Sequence, residues 1–202
     1  MYVLALTGGI GAGKSTAAGF FQERGAEVIS LDETARALLE PGTAVHRELV
    51  AEFGAGVLGT NSRIDAAALA REAFASPARA QRLNSIVHPA VFEQVASALE
   101  ELRGQAEPPH LVVLDIPLLA ESPRFKDLAD TVLVVSAPLE TRVARAVASG
   151  MAEADVRARA ACQATDAERE ALADHVIRND TTVEAFLRAL DRLLTEVAGD
   201  ES

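Results

Sequence analysis

Sulfur is nearly absent from this chain: Cys162 is the one cysteine. No internal disulfide can therefore staple the fold, and in its Ala-rich helical setting Cys162 is expected to be a small packing residue of a protein kept in a reducing, cytoplasmic compartment. Basic residues are outnumbered, with 19 Lys and Arg against 30 Asp and Glu, a net charge of −11. That balance excludes a protein that coats nucleic acid or anionic membrane, because such binding draws its affinity from Lys and Arg on phosphates. Any phosphate site must be basic locally. No apolar run is long enough to cross a bilayer, and the N-terminal one lacks a basic leader and breaks into glycines within a few residues, so neither a secretory signal nor a membrane span is expected. There is no internal repeat and no low-complexity tail. What remains is 202 residues, 49% of them apolar, enough for one globular domain with its own core.

The most informative stretch is Leu4-Ala5-Leu6-Thr7-Gly8-Gly9-Ile10-Gly11-Ala12-Gly13-Lys14-Ser15-Thr16. An apolar β-type run passes into glycines and then into a helical pattern, which reads as strand, phosphate loop and helix start. Gly8 and Gly13 close the pattern G-x-x-x-x-G-K-S, whose backbone can curl so that its amides face an anion. Lys14 then supplies a point charge for the β and γ phosphates, Ser15 a hydroxyl for Mg²⁺, and the helix its positive dipole end. A Gly-rich turn without a ligand is the alternative; the complete match in the right context favours nucleotide binding.

The helix after Thr16 carries Ala17, Ala18, Phe20 and Phe21 and ends near Gly25, and Val28, Ile29 and Leu31 are expected in a second buried strand. Asp32 follows at the strand's end, where open parallel sheets gather ligands; capping the next helix is its structural alternative. A helix through Val45, Leu49, Val50 and Phe53 stops at Gly54. Three helical patterns then run over 65–75, 77–87 and 89–103, with Ser76-Pro77 as cap and first-turn proline. Leu111–Asp115 reads as a central strand closing on an acid, a pattern that suits a Mg²⁺ carboxylate or a loop cap, and Thr131–Val135 as the next buried strand. Residues 139–173 read as helical with scattered arginines, interrupted at Ser149-Gly150, a shape suited either to a lid over phosphates or to a solvated helical face. Val176 and Ile177 suggest a last strand, and Thr181 with Glu184 a capping box for a terminal amphipathic helix.

These segments, in this order, resemble dephospho-CoA kinase. The residues that carry the likeness are Leu6-Thr7-Gly8-Gly9-Ile10-Gly11, Asp32 with Ala35-Arg36, Phe53-Gly54, Leu83-Asn84, His88-Pro89, Asp115-Ile116-Pro117-Leu118-Leu119 with Glu121, and Gln163, Arg169, Ala173-Asp174, Ile177 and Asn179. Two departures stand out. Ser30-Leu31-Asp32 occupies the place of the family's Asp-Ala-Asp, and Ala148-Ser149-Gly150 replaces an Arg-Asp pair in the lid.

The resemblance implies a phosphate-loop α/β three-layer sandwich around a parallel five-stranded sheet, one domain over 1–202. Its core would be 1–60, 108–138 and 174–202, with a helical acceptor-binding insertion at about 61–107 and a lid at about 139–173. It implies ATP-dependent phosphorylation of the ribose 3′-hydroxyl of dephospho-CoA, giving CoA and ADP. ATP would be held by Gly8, Gly11, Ala12, Gly13, Lys14, Ser15, Thr16 and Asn179, and Mg²⁺ by Ser15 and Asp115. The acceptor would meet Asp32, Arg36, His88, Pro89, Leu118 and Glu121. Asp32, Lys14, Arg142 and Arg145 would carry catalysis, Asp32 as proton acceptor and the arginines as the leading candidates for the phosphate clamp. His88 before Pro89 reads equally well as a helix entry. The expected partner is the small substrate alone, without nucleic acid or membrane, on a monomer with weak oligomerisation left open. Two other readings stay open: a phosphate-loop kinase of another small acceptor such as a nucleoside monophosphate, and a nucleotide switch without an acceptor.

Overall fold

A computed structural model describes residues 1–199. Five parallel strands, β1 (Tyr2–Gly8), β2 (Glu27–Ser30), β3 (Leu111–Asp115), β4 (Thr131–Ser136) and β5 (His175–Arg178), form one sheet in the order β2-β3-β1-β4-β5. Buried on both faces, β1, β3 and β4 show the unbroken apolar runs expected of central parallel strands. The register aligns their carboxyl ends: Leu6 pairs with Asp115, Gly8 with Val135, and Ser30 with Asp115. This is the edge at which ligands of open α/β sheets bind.

The chain forms two compact units. The first is Met1–Ser30 with the chain from Leu102 onward. In it α1 (Lys14–Gln22) and α9 (Val183–Gly199) bring Phe20, Phe21, Phe186, Leu190 and Leu193 onto Leu4, Leu6, Val113 and Leu133. Each large side chain so buried contributes about 1.5–3 kcal/mol. Between β4 and β5 run α6 (Leu139–Ala148), α7 (Glu153–Cys162) and α8 (Asp166–Glu170), three helices where one interruption was expected. The extra break follows from Thr165, which caps α8 in a capping box with Glu168.

The second unit, Leu31–Glu101, is helical. It holds α2 (Leu31–Leu38), α3 (Ala44–Phe53), α4 (Ala66–Ala73) and α5 (Pro77–Arg103) up to Glu101, with Val45, Leu49, Phe53, Val57, Leu69 and Ile86 as its core. Its boundary at Leu31 groups α2 and α3 with the helices that follow.

Four local expectations are corrected. Leu31 opens α2 instead of closing β2, so the strand is only Glu27–Ser30. The helices expected at 77–87 and 89–103 are one continuous α5 with Pro89 inside it. A proline there removes one backbone donor and costs on the order of 3 kcal/mol, yet Ile86, Val87 and Ala90 all pack on the same cluster, and that shared burial carries the helix through. Thr182, not Thr181, caps α9: its Oγ1 accepts from the Ala185 N–H at 3.2 Å. Cys162 is exposed at the end of α7 and is no packing residue, since the buried face of that short helix is set by Val156.

Candidate active site

The loop after β1 is shaped by what glycine permits. Gly11 and Gly13 have φ of 74° and 107°, a region that L side chains avoid. A Cβ on Gly11 would lie 2.3 Å from the Arg142 carbonyl oxygen, and one on Gly13 2.3 Å from Asn179 Nδ2. Gly8 likewise ends β1 where a Cβ would lie 2.5 Å from Val135 O. Gly13 is the N-cap of α1 and offers no side chain to it, and the first turn holds no acid, so the orphan amides there are left for an anion. Ser15 and Thr16 follow on an exposed surface and Ala12 is buried. The Ala12 carbonyl accepts from Asn179 Nδ2 at 2.9 Å, which ties the back of the loop to the residue after β5.

Lys14, the first residue of α1, is ion-paired through Nζ to the Asp115 carboxylate at the end of β3, with side-chain exposures of 16% and 19%. The expected metal ligand and the expected phosphate cation are thus neighbours. No group of three or more His, Cys, Asp or Glu side chains among the described residues could cage a metal. A carboxylate and one serine hydroxyl nonetheless fit Mg²⁺, which keeps several waters and takes its remaining ligands from substrate phosphates.

Two arginines face Gly9. A Cβ placed there would meet Arg142 Nη1 at 2.6 Å and Arg169 Nη2 at 3.0 Å. Arg142 is 4% exposed. Its Nε donates to Ala137 O at 2.9 Å and its Nη2 to Asp166 at 3.1 and 3.2 Å, but Nη1 has no partner among the described residues. A buried guanidinium nitrogen left without an acceptor costs free energy until an anion reaches it. Arg145 points elsewhere: its Nη1 donates to Asn179 O at 2.8 Å and its Nη2 to Asn179 Oδ1 at 3.3 Å, so it braces the residue that braces the loop. Gln163 Oε1 accepts from the Ile10 amide at 3.3 Å, and Glu121 Oε1 from the Ala164 amide at 2.8 Å. Glu121 therefore holds the segment before α8, while Leu118 is 46% exposed.

In the helical unit, Asp32 and Glu33 stand in the first turn of α2, with Arg36 one turn on; Asp32 and Arg36 are both exposed. Asp32 lies inside the helix and is not its N-cap. Pro89 is exposed and His88 half-buried in mid-α5, so the helix-entry reading of that pair does not hold. Burial pushes the His88 imidazole below its ordinary pKa. A depressed pKa means that the unfolded chain binds the proton more tightly. The stability His88 contributes is then full above about pH 6.5 and is lost as pH falls below it. The melting temperature should drop between pH 7.5 and 5.5, and His88→Gln should flatten that drop; an unchanged slope would assign it to other groups.

A family model described as dephospho-CoA kinase matches residues 2–185. The chain belongs to the dephospho-CoA kinase family. A dephospho-CoA kinase of Thermobifida fusca is 44% identical over 98% of this chain and 94% of its own length, and one of Corynebacterium diphtheriae is 42% identical over 98% and 96%. A crystal structure from Thermus thermophilus, 37% identical, superposes with a TM-score of 0.80 over 96% of this chain and 97% of that one. The dephospho-CoA kinase of Campylobacter jejuni and a shikimate kinase of Acinetobacter baumannii, 21% and 15% identical with TM-scores of 0.73 and 0.53, share the fold. Membership makes the chain a kinase of the last step of coenzyme A synthesis, built on the parallel phosphate-loop sheet that the sequence implies. No helix among the described residues is long and apolar enough to cross a membrane. Sequence reasoning assigned no role to Asp166 and no clamp role to Arg169. Both lie in a helix of five residues, and no spacing in the chain signals that their side chains meet Arg142.

Proposed function

We propose that this chain transfers the γ-phosphoryl group of ATP to the ribose 3′-hydroxyl of dephospho-CoA, as a single kinase domain acting as a monomer. The observation that carries the reading is the convergence of Lys14 and the unpartnered Arg142 Nη1 on a glycine loop at the carboxyl edge of the sheet. Such transfers need little covalent help from the protein and depend on positioning and charge neutralisation. The amides of residues 9–14 cradle the phosphates, Lys14 neutralises them, and Arg142 with Arg169 holds the transferring group. Ser15 and Asp115 would hold Mg²⁺, which when bound offsets charge on the phosphate oxygens. Asp32 accepts the hydroxyl proton; support comes from its place just past β2 and its match to the Asp-x-x-Ala-Arg pattern. Arg36, His88, Pro89, Leu118 and Glu121 serve the acceptor on the strength of the resemblance.

Coupled measurement of ADP release with and without dephospho-CoA tests the whole reading. ADP formed only with that acceptor, one for each CoA, is the expected outcome. Equal release with a nucleoside monophosphate, or slow release that ignores every acceptor, would replace it.

The two lid arginines should separate. Arg142→Ala is expected to lower kcat by on the order of 10³, whereas Arg145→Ala should act mainly on ATP KM through Asn179 and cost about 10-fold or less. The double variant should be worse than either. Equal, small effects from both would mean that the clamp lies elsewhere.

A further inference from the structure

Asp166 is 41% exposed, yet its carboxylate is the point at which the two anion-facing arginines meet. Arg142 Nη2 donates to both of its oxygens at 3.2 and 3.1 Å, and Arg169 Nη2 donates to Oδ1 at 2.6 Å. Each guanidinium has one other anchor, a backbone carbonyl: Ala137 O for Arg142 Nε and Ala164 O for Arg169 Nη1. One carbonyl leaves a guanidinium free to swing about that bond; a second acceptor fixes the plane of the fork. We propose that Asp166 is a positioning residue that locks Arg142 and Arg169 side by side over Gly9, a proposal that rests on the reading of Arg142 as the phosphate clamp.

Helix capping does not explain Asp166. Thr165 Oγ1 already accepts from the Glu168 amide at 3.2 Å, and the Glu168 carboxylate accepts from the Thr165 amide at 2.7 Å, so the start of α8 is closed without it. Nor does pairing with a single arginine, because the carboxylate bonds Arg142 and Arg169 at once and still leaves Arg142 Nη1 without a partner among the described residues. Its two bonds to Arg142 both fall on Nη2 and leave Nη1, the arginine nitrogen nearest Gly9, unbonded among the described residues. It also cancels one of the two positive charges packed against each other, so both cations can sit within reach of one phosphoryl group without mutual repulsion turning either away.

The test measures kcat, ATP KM and melting temperature for Asp166→Ala and Asp166→Glu, each alone and in an Arg142→Ala background. With the clamp loosened but a negative charge removed from its vicinity, Asp166→Ala should lose about 10-fold or more in kcat while ATP KM rises less than about threefold or falls. In the Arg142→Ala background it should add at most about twofold, since residues acting as one unit are not additive. Asp166→Glu, which keeps the carboxylate one methylene further out, should recover part of the rate. Asp166→Asn keeps the side chain's size and serves if the alanine variant does not fold. Equal losses in both backgrounds, or a lower melting temperature with kcat per active site intact, would overturn the proposal. Full turnover by Arg142→Ala would instead overturn the clamp reading and take the proposal with it. An impaired Arg142→Ala beside an unimpaired Asp166→Ala sinks only the proposal.

Discussion

Lys14→Ala should lower kcat by on the order of 10³, the scale on which single phosphate-binding cations act in phosphoryl transfer. The loop itself would survive, because its curvature comes from Gly11 and Gly13 and its rear support from Asn179 on the Ala12 carbonyl, none of which involves the lysine side chain. The structure adds a second consequence. Lys14 is paired with Asp115, both of them mostly buried, so alanine leaves a carboxylate without its cation at the end of a central strand. That should cost about 1–3 kcal/mol of stability, visible as a lower melting temperature. In Lys14→Ala combined with Asp115→Asn the neutral amide should recover stability, while turnover stays lost because the phosphate cation and the Mg²⁺ carboxylate are then both gone. Recovery of both would make the lysine a structural ion-pair partner and remove it from the chemistry. Near-normal turnover by Lys14→Ala at saturating ATP would remove the phosphate-loop assignment as a whole.

What could be read from the sequence was whatever is decided locally. The loop is legible because glycine pattern, lysine and hydroxyl follow one another within eight residues, and the flanking strand and helix are set by their own apolar spacing. The strands β3 and β4 are legible because burial on both faces needs unbroken apolar runs. Leu31 is a shift of one residue at the boundary of β2 and α2, whereas at Pro89 the helix-breaking preference is overridden by the packing of Ile86, Val87 and Ala90, which neighbouring residues cannot reveal. The shift from Thr181 to Thr182 is likewise the ordinary uncertainty of one residue at a helix end. The arginines are the instructive case. Arg142 and Arg145 lie three apart on α6, and helical spacing would put them on neighbouring faces with one task. Their roles diverge because Asp166 and Asn179, far along the chain, capture them separately. No pattern of period 3.6 carries that information.

Asp32→Asn should lower kcat by on the order of 10² to 10⁴, the range for losing a positioned general base. The substitution keeps the size of the side chain and most of its hydrogen-bonding capacity, and removes the charge that a proton acceptor needs. Were Asp32 the cap of α2, asparagine would serve as well and nothing would change. That alternative is weakened by its place: the helix begins at Leu31, so Asp32 is an exposed first-turn residue whose structural contribution is limited to the helix dipole. The dipole is worth about 0.3–1 kcal/mol at most, and an exposed site screens much of it. Melting temperature should therefore hardly move. ATP affinity should persist or rise slightly, since Lys14 and the loop are untouched. Ser30 stands where the family pattern has a second acid, so that carboxylate is not there to take over the proton. The loss should consequently be larger with an unactivated hydroxyl near neutral pH and shrink as pH rises and hydroxide begins to compete. A variant with parental melting temperature and ATP affinity but parental kcat as well would show that the 3′-hydroxyl gives up its proton without Asp32, and would leave the reaction to be driven by charge neutralisation at the loop alone.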